Sequence, residues 1–479
     1  RCGGREQRGQ RSDMLYRVNC GGGRGRRAVL GGTCMLAALL LLSACTRVPY
    51  INEAREHPAP DRDRFTRIAS GGRDPNMIVL LAFSGGGTRA AAFAYGVLQE
   101  LAATRVVSSR GEQRLLDEVD VISSVSGGSF TSAYFGLFGD RIFEDFEQAF
   151  LRVPLQHQLE VALFRPRHWP SLSSRAYGRS DMAAEYYYAD IYEHKTFGDL
   201  FQRPGAPLTI INSTDIVTGT RIPFTDLFFD AICSDLDSFP ITRAIAASSA
   251  VPGLATPITL RNRAGSCGYD PPGWVQNPPP ALTSPLGHAE GKALGAYLDA
   301  AERPWLQLVD GGISDNLGLR AFYTPFSLAQ DVEAVFEKLG HKNVQPVLII
   351  SVNAATHRIP EWGGESKPPR VFKVLSETSN VMMSRYTADT VHIVETSYAV
   401  WARSRTRAGK AVDFEFVEVS FAGVEDPVER EKLNNTVTSL ELEDEEIDRL
   451  IAAGRLVLRN APEFRTFVQR NRGSLAAGL

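Results

Sequence analysis

Short apolar runs recur along the chain, separated by longer stretches with a helical pattern. The runs that we interpret as strands are Met77 to Phe83, Asp120 to Ser123, Leu208 to Asn212, Trp305 to Val309 and Pro346 to Asn353. Runs of this kind are typical of strands that are buried on both faces of a parallel sheet. Because helical patterns lie between them, we expect an α/β fold whose mostly parallel central sheet is covered by helices on both faces.

Two stretches depart from this alternation. Residues 140–200 have a mainly helical, amphipathic pattern that includes Tyr186-Tyr187-Tyr188. We interpret this stretch as a candidate cap over the site and expect the tyrosines to be packed, because aromatic side chains dominate buried contact area. Residues 261–291 are rich in Gly and Pro, and we interpret them as an insertion loop because the strand pattern resumes at Trp305. Residues 76–479 are therefore predicted to form a single domain.

The start of the chain has the pattern of an export signal. A basic stretch precedes the apolar run Ala28 to Leu42, which is shorter than the roughly 20 residues of a membrane span and fits a secretory signal peptide. The run ends in Leu42-Ser43-Ala44-Cys45, which resembles a bacterial lipobox and implies that Cys45 is lipidated. The alternative is an ordinary cleaved signal with a chance cysteine. We expect residues 1–45 to be a non-native start followed by this signal, and residues 46–75 to be a polar tether.

Composition narrows the classes of function. The formal net charge of -3 argues against a nucleic-acid-binding protein, whose surface would be basic. The sequence has no C-x-x-C spacing and no H-E-x-x-H motif, so it predicts no metal site. An exported lipoprotein would lie on the periplasmic side of the cell envelope, and we expect the outer membrane. In that oxidising compartment Cys233 and Cys267 can form a disulfide, and two free thiols are the alternative.

Three glycine-rich turns each follow a predicted strand. They are Ser84-Gly85-Gly86-Gly87-Thr88-Arg89, Ser124-Val125-Ser126-Gly127-Gly128 and Asp310-Gly311-Gly312. The second turn fits a nucleophile elbow, in which the pattern G-x-S-x-G lifts a serine clear of the sheet between a strand and a helix. Ser124 stands where the pattern has its first glycine. We expect Gly127 and Gly128 to keep the backbone open where a substrate approaches.

In this order, the three turns resemble the patatin-like phospholipases, and the resemblance runs from about Met77 to Gly318. It also takes in the segment Ala247 to Pro252. The resemblance implies a three-layer α/β/α patatin-like fold and a lipid acyl hydrolase with a Ser-Asp dyad, no catalytic histidine and no cofactor. It makes Ser126 the nucleophile and Asp310 its base. The expected substrate is a phospholipid, cleaved through an acyl-enzyme.

The glycine loop suits an oxyanion hole because amides without side chains can converge on one oxygen. The resemblance implies that the amides of Gly85, Gly86 and Gly87 form this hole and that Arg89 steadies the loop. One alternative is a dinucleotide-binding fingerprint, which would need an acidic residue about 20 positions further on, and the sequence supplies none there. The other alternative is a plain strand-to-helix turn.

The identity of the base separates the competing functions. Because a free aspartate has a pKa near 3.9, Asp310 is an effective base only if burial beside Val309 and Ile313 raises its pKa. A Ser-His-Asp esterase acting on soluble esters would instead need a histidine after the aspartate. The histidines in that part of the sequence are His341, His357 and His392. A further alternative is a membrane-anchored lipoprotein that keeps the fold without catalysis.

Overall fold

The computed structural model describes residues 52–57, 72–172, 174, 177–282, 284–328, 332–341, 343–356, 364, 366 and 371–475, with residues 371–384 described by their backbone alone. These residues all belong to one compact unit, Val48–Leu479. The predicted signal peptide, the lipobox with Cys45 and much of the predicted tether lie outside the described residues.

Ten strands are described, and most of them form one sheet. The strands are β1 Ile78–Phe83, β2 Arg105–Ser108, β3 Gly111–Arg114, β4 Val119–Val125, β5 Leu208–Asp215, β6 Thr220–Pro223, β7 Ile258–Arg261, β8 Trp305–Val309, β9 Pro346–Asn353 and β10 Asp413–Ser420. The main sheet has the order β10-β9-β1-β4-β5-β8-β7, with β6 paired to β5, while β2 and β3 form a separate hairpin. Strands β10, β9, β1, β4 and β5 are parallel. The prediction of a mostly parallel sheet is therefore confirmed, and β6, β7 and β8 add its antiparallel part.

The helices cover both faces of this sheet. They are α1 Gly87–Ala103, α2 Gly127–Phe138, α3 Ile142–Phe146, α4 Leu155–Leu163, α5 Trp169–Leu172, α6 Arg179–Asp190, α7 Phe197–Gln202, α8 Asp226–Ala231, α9 Ile241–Ser248, α10 Gly273–Gln276, α11 Pro285–Ala296, α12 Gly312–Asp315, α13 Arg320–Ser327, α14 Val332–Lys338, α15 Val371–Arg407, α16 Pro427–Asn435, α17 Asp444–Asn460 and α18 Pro462–Arg470. Short turns of 3-10 helix lie at Leu115–Glu118, Gly139–Arg141, Pro166–His168 and Phe421–Gly423, and a π-helical turn lies at Glu147–Leu151.

The alternation of side chains along β1 explains the three layers. Successive side chains of a strand point to opposite faces of the sheet, and all six side chains of β1 are buried. Val79, Leu81 and Phe83 belong to the core beneath α1, α2 and α17. Ile78, Leu80 and Ala82 belong to a second core beneath α13, α14 and α15. A strand that is apolar on both faces thus requires a helical layer on each side, which is the expected α/β/α arrangement.

Helices α1 and α17 cross at very short range. A Cβ atom added at Gly96 would collide with the carbonyl group of Ile451, and one added at Gly454 would collide with that of Phe93. Next to this crossing, both oxygens of the fully buried Glu100 carboxylate accept from Arg459 at 2.7 Å. The layer that begins at the glycine loop is therefore fixed to the C-terminal part of the chain.

The helical insertion predicted at residues 140–200 is present as α3 to α7. Tyr187 is buried and packs edge-on against Phe130 of α2, with ring centroids 5.1 Å apart, so the interpretation of this tyrosine as a packing residue is confirmed. Helix α6 packs on α9, and the buried pair Arg243–Asp181 joins them at 2.6 Å. The insertion is thus fixed to α9, and its role as a cap stays a prediction.

Two segment predictions need correction. The Gly- and Pro-rich stretch 261–291 is not loop throughout, because α10 lies inside it and α11 begins at Pro285, where the Ser284 hydroxyl accepts from the amide of Gly287 at 3.3 Å. Residues 52–57 of the predicted tether are docked on the domain. Arg55 is buried between the carboxylates of Asp230 at 2.8 Å and Asp235 at 2.6 Å, which anchors this short segment. In the part of the chain that the structure describes, none of the helices has the length and hydrophobicity to cross a membrane.

Candidate active site

Ser126 lies at the tip of the turn between β4 and α2. Its backbone has φ 49° and ψ -121°, a left-handed conformation that is strained for any residue other than glycine. Such strain is the mark of a nucleophile elbow, where the turn holds the serine hydroxyl away from the sheet. The predicted strand–turn–helix context is therefore present around Ser126.

The strained turn is held by a hydroxyl group that the sequence did not single out. The amide of Ser126 donates to the Oγ atom of Ser248 at 2.7 Å, and that hydroxyl donates to the carbonyl oxygen of Asn212 at 2.6 Å. Ser248 is fully buried at the C-terminal end of α9. The segment Ala247 to Pro252 contributed to the family resemblance, but nothing in the sequence assigned this serine a contact with the elbow.

Ser124 replaces the first glycine of the elbow pattern without loss of packing. Its hydroxyl accepts from the Ser132 hydroxyl at 2.6 Å and lies 3.3 Å from the carbonyl oxygen of Ile210, to which it donates. A serine is tolerated here because its one polar group is satisfied inside the sheet–helix interface.

Gly127 and Gly128 serve a different purpose from the one expected. A Cβ atom on Gly127 would collide with the carbonyl group of Gly87, and one on Gly128 would lie 2.7 Å from the Cβ of Phe83. The expectation that these glycines leave room for substrate is therefore wrong at these Cβ positions, because the space is filled by the glycine loop and the end of β1. Their role is to let α2 approach that loop.

Among the described residues, two of the three glycine amides in the loop have no hydrogen-bond partner, and the third is paired. The amide of Gly85 donates to the carbonyl oxygen of Asn316 at 3.0 Å, so the prediction that it binds an oxyanion is wrong. Gly86 and Gly87 have positive φ angles of 140° and 61°, and their amides have no hydrogen-bond partner among the described residues. Because Gly87 is the first residue of α1, its amide also lies at the positive end of the helix dipole. These two amides are the candidate oxyanion donors.

Arg89 joins the glycine loop to two distant segments of the chain. Its guanidinium is buried and donates to the carbonyl oxygens of Ala354 at 2.9 Å and Thr436 at 2.7 Å. Burial lowers the pKa of Arg89 to about 10, so the side chain remains charged at neutral pH. The neighbouring amide of Thr88 donates to the carbonyl oxygen of Ser439 at 2.8 Å. We find Arg89 in the steadying position that the resemblance implied, with partners from the C-terminal part of the chain.

Asp310 is buried beside Ser126. Burial raises its pKa to about 6, although the amide of Gly312 and the Ser126 hydroxyl both bind the carboxylate and act in the opposite direction. The amide of Gly312 donates to Oδ1 at 2.7 Å, and the backbone amide of Asp310 donates to the carbonyl oxygen of Ala250 at 3.0 Å. The carboxylate is therefore fixed, partly desolvated and in contact with the candidate nucleophile.

The register of the sheet explains why these two residues meet. Val125 is paired with Asn212 in the parallel ladder of β4 and β5. Strand β8 runs antiparallel to β5 and pairs Val309 with Thr214, so the following residue, Asp310, continues toward the Asn212 level. A Cβ on Gly311 would collide with the carbonyl group of Asn212. Two strand ends that run in opposite directions thus converge on one residue of β5.

Of the three candidate histidines, the two that the structure describes have no hydrogen bond to Ser126 or Asp310. His341 is buried, and its Nε2 lies 3.0 Å from Oδ1 of Asp120 near the start of β4. Strands rise about 3.3 Å per residue, so this end of β4 lies well away from Ser126. His392 is exposed on α15, and His357 lies outside the described residues. Among the described residues there is also no cluster of three or more His, Cys, Asp or Glu side chains arranged to hold a metal ion.

Cys233 and Cys267 are joined by a disulfide in the structure, with their Cα atoms 5.6 Å apart. The bridge lies at the base of the Gly- and Pro-rich insertion, away from Ser126 and Asp310 in sequence. It fixes the start of that insertion to the segment that follows α8.

The sheet order and the serine elbow place the protein in a class of three-layer α/β proteins that carry a candidate nucleophile on a strand–helix turn. The chain belongs to the patatin-like phospholipase family, whose model matches residues 81–323. Membership of this family supports lipid hydrolase activity.

Comparisons of whole chains give weaker similarities. The structure of human GIVD cytosolic phospholipase A2 is 12% identical with a TM-score of 0.46, and the match covers 89% of this chain and 68% of that one. The same human enzyme in complex with methyl gamma-linolenyl fluorophosphonate is 14% identical with a TM-score of 0.41, and the match covers 86% of this chain and 63% of that one. VipD from Legionella pneumophila is 11% identical with a TM-score of 0.31, and the match covers 90% of this chain and 73% of that one. No curated protein sequence matches the chain.

Proposed function

We propose that the protein is a lipid acyl hydrolase in which Ser126 is the nucleophile and Asp310 is its base. The observation that carries the proposal is the buried Asp310 carboxylate, which contacts the Ser126 hydroxyl and has its pKa raised to about 6. A base whose pKa lies near the working pH is charged often enough to accept a proton and basic enough to hold it. Asp310 thereby meets the requirement that an ordinary aspartate would fail.

Acylation follows from this arrangement. The Ser126 oxygen attacks the ester carbonyl carbon of the lipid while its proton passes to Asp310. The carbonyl oxygen becomes an oxyanion, which the amides of Gly86 and Gly87 bind. Asp310 then gives its proton to the departing alcohol, the carbon–oxygen bond of the ester breaks, and the acyl group remains on Ser126. Each oxyanion donor of this kind contributes about a hundredfold or more in rate.

Deacylation reverses the roles with water as the nucleophile. A water molecule gives a proton to Asp310 and attacks the acyl carbon, and the same two amides bind the second oxyanion. The proton then returns from Asp310 to the Ser126 oxygen as the fatty acid leaves. Each cycle consumes one ester and one water and returns both side chains to their starting state, so the chemistry needs neither metal nor cofactor.

Product analysis tests this function. The purified protein is incubated with mixed phospholipids, and we expect fatty acid and lysophospholipid in equal amounts by mass spectrometry. Ser126→Ala should reduce the rate by at least about a thousandfold, because loss of a nucleophile costs orders of magnitude. The matched control is Ser249→Ala, whose buried hydroxyl has no partner among the described residues. A Ser126→Ala rate within about tenfold of the parent would refute the nucleophile assignment.

The histidine variants decide between a dyad and a triad. We expect His341→Gln, His357→Gln and His392→Gln to keep the parental rate, because Asp310 is the proposed base. If one of these histidines were the general base, its loss would cost about a hundredfold or more. A folded variant of this set that loses activity would replace the dyad with a Ser-His-Asp esterase. Absence of hydrolysis and of fluorophosphonate labelling in the parent would favour a non-catalytic protein.

We also propose that the protein is exported and held on the periplasmic side of the cell envelope by lipid at Cys45. The support is the lipobox-like sequence after the apolar run. Each buried methylene adds about 0.8 kcal/mol, so two or three acyl chains give stable anchoring where one does not. Cys45→Ala should move the protein from the membrane fraction to the soluble fraction. An intact mass that shows no added lipid on the parent would contradict this proposal.

A further inference from the structure

Asn212 is a buried polar residue of β5 that takes no part in the proposed chemistry. Its side chain is fully buried. The amide nitrogen donates to the carbonyl oxygen of Ser124 and to the hydroxyl of Ser123, both at 3.0 Å. The amide oxygen accepts from the guanidinium of Arg221 at 2.8 Å. Because both ends of the amide have partners, the orientation of this side chain is fixed.

Asn212 contacts the turn that carries Ser126 in two ways. Its side chain binds Ser124, which stands two residues before Ser126. Its backbone carbonyl oxygen accepts from the Ser248 hydroxyl, which in turn accepts from the Ser126 amide. The same carbonyl group lies against the turn that follows Asp310, where it leaves no room for a Cβ atom on Gly311. A rotation of Asn212 would therefore shift the turn of Ser126 relative to that of Asp310.

The half-buried Arg221 orients this amide from the neighbouring strand. Arg221 is paired with Thr214 in the antiparallel ladder of β5 and β6, so its side chain lies on the same face of the sheet as that of Asn212. Another nitrogen of the guanidinium donates to the Thr324 hydroxyl at 3.2 Å. Both acceptors are neutral, and a hydrogen bond from a charged donor is about twice as strong as one between neutral groups. The guanidinium is therefore a strong, directional restraint on Asn212.

A second arginine separates the charge of Arg221 from its hydrogen bond. Burial raises the pKa of Asp315 on α12, and the charges of Arg221 and Arg320 both act in the opposite direction. Arg320 lies over the ring of Tyr386, 4.6 Å from its centroid, whereas Arg221 is the residue that donates to the Asn212 oxygen. The two side chains thus share an electrostatic neighbour and differ in their contact with Asn212.

We propose that Arg221 is a positioning residue that acts through Asn212 to hold Ser126 against Asp310. This inference rests on the proposed function, because it assigns support to the same two residues. Arg221 does not need to touch the lipid for this role, so kcat depends on it and KM does not. Misplacement of a reacting group by about 1 Å is enough to cost about a hundredfold in rate.

The pKa of Asp310 separates positioning from a general effect on stability. Burial raises this pKa to about 6, and the Gly312 amide and the Ser126 hydroxyl act in the opposite direction. If Ser126 moves away, Asp310 loses the hydroxyl that stabilises its charged form, and its pKa rises further. A loss of stability that leaves the two residues in contact does not change it.

Carbon-13 NMR of the full chain, labelled at aspartate, measures the pKa of Asp310. Its signal is identified by its absence in Asp310→Asn. In Arg221→Gln we expect the pKa to rise by at least about 0.5, and kcat to fall about a hundredfold while KM stays within about twofold. The matched control is Arg320→Gln, which also removes a positive charge near Asp315. We expect this control to keep the parental pKa of Asp310 and the parental kcat.

The proposal is overturned if Arg221→Gln keeps the parental pKa of Asp310, or if its kcat stays within about twofold of the parent. It is also overturned if Arg320→Gln raises that pKa equally, because the effect would then be one of charge alone. If Arg221→Gln does not fold by circular dichroism, Arg221→Lys is judged by the same criteria, since lysine keeps the charge and loses the planar fork. Absence of hydrolysis by the parent would contradict the proposed function, whereas the NMR titration would still decide whether Arg221 holds Ser126 against Asp310.

Discussion

Replacing Asp310 with asparagine should make the protein inactive and, above about pH 5, more stable. In the folded protein, burial raises the pKa of Asp310 from 3.8 to about 6. Asparagine has the same shape and keeps an oxygen that can accept from the Gly312 amide, but it cannot accept a proton. The substitution therefore removes the proposed base and, with it, the cost of burying its charge.

The size of the stability change follows from the shift in pKa. About two pKa units at about 1.36 kcal/mol each give an upper value of roughly 3 kcal/mol. The sign follows from proton binding. Between pH 3.8 and about 6 the folded protein holds the Asp310 proton more tightly than the unfolded chain does, so ionisation removes stability as the pH rises through this window. The asparagine variant has no such loss.

Urea unfolding at pH 5 and pH 8 measures this effect. The free energy of unfolding of Asp310→Asn minus that of the parent should increase by roughly 1 to 1.5 kcal/mol between the two pH values. Taking the difference cancels groups that titrate equally in both proteins. Ser126→Ala is a useful comparison, because it removes a hydroxyl that stabilises the carboxylate and should therefore steepen the pH dependence. A difference that is constant between pH 5 and 8, or that falls, would refute a buried Asp310 with a raised pKa.

Activity gives the second half of the same experiment. In the parent, kcat/KM should rise with pH up to about 6 and then level off, because only the charged carboxylate accepts the serine proton. A histidine with a pKa near 6.5 would give almost the same profile, so the profile alone does not identify the base. We therefore combine the two measurements. If Asp310→Asn is inactive at every pH but more stable than the parent at pH 8, the charge of Asp310 costs stability and is needed for activity.

Two further substitutions test how the site is supported. Glu100→Gln should lower the free energy of unfolding by about 3 kcal/mol in urea, because it leaves Arg459 without its buried partner. Ser248→Ala should lower kcat about tenfold with little change in KM, because the strained Ser126 amide loses a hydrogen bond of about 1 kcal/mol or more.

The controls for these two predictions come from the same chain. Asp117→Asn breaks a more exposed ion pair with Arg114 and should cost less than about 1 kcal/mol. A Glu100→Gln effect no larger than that would show that the buried pair does not hold α1 to α17. If kcat of Ser248→Ala stays within about twofold of the parent, the Ser248 hydroxyl is not needed to hold the elbow.

The sequence predicted the strands that carry the site because each of them is a short apolar run that ends in glycine or small residues. Ser126 and Asp310 could be named for that reason, since a residue that follows the end of a strand must lie where the sheet ends and a loop begins. The pattern did not show that β8 runs antiparallel to β5. The two ends meet anyway because β8 overlaps only the last residues of β5.

Misassignments arose where a contact joins distant parts of the chain. Gly85 was assigned to the oxyanion hole, and its amide is taken by Asn316. Gly127 was assigned to substrate access, and its missing Cβ accommodates Gly87. Ser248 received no role, although it binds the Ser126 amide. In each case the local sequence permits several partners, and the partner is chosen by packing between elements that no periodicity reveals.

The position of β9 between β1 and β10 means that the segment matched by the family model lacks one of the two neighbours of β1 in the sheet. The family model ends at residue 323, whereas β9 at Pro346–Asn353 pairs with β1 over its whole length. A chain that stopped at the end of the matched region would present β1 as an open edge, with its hydrogen-bonding groups unpaired and prone to association with other strands. The N-terminal part is synthesised first, and long-range pairings form slowly. One side of β1 therefore stays unpaired in the nascent chain until β9 has been synthesised and has paired with it. The order in which the sheet closes, rather than the chemistry at Ser126 and Asp310, then sets the interval during which the protein is vulnerable to aggregation.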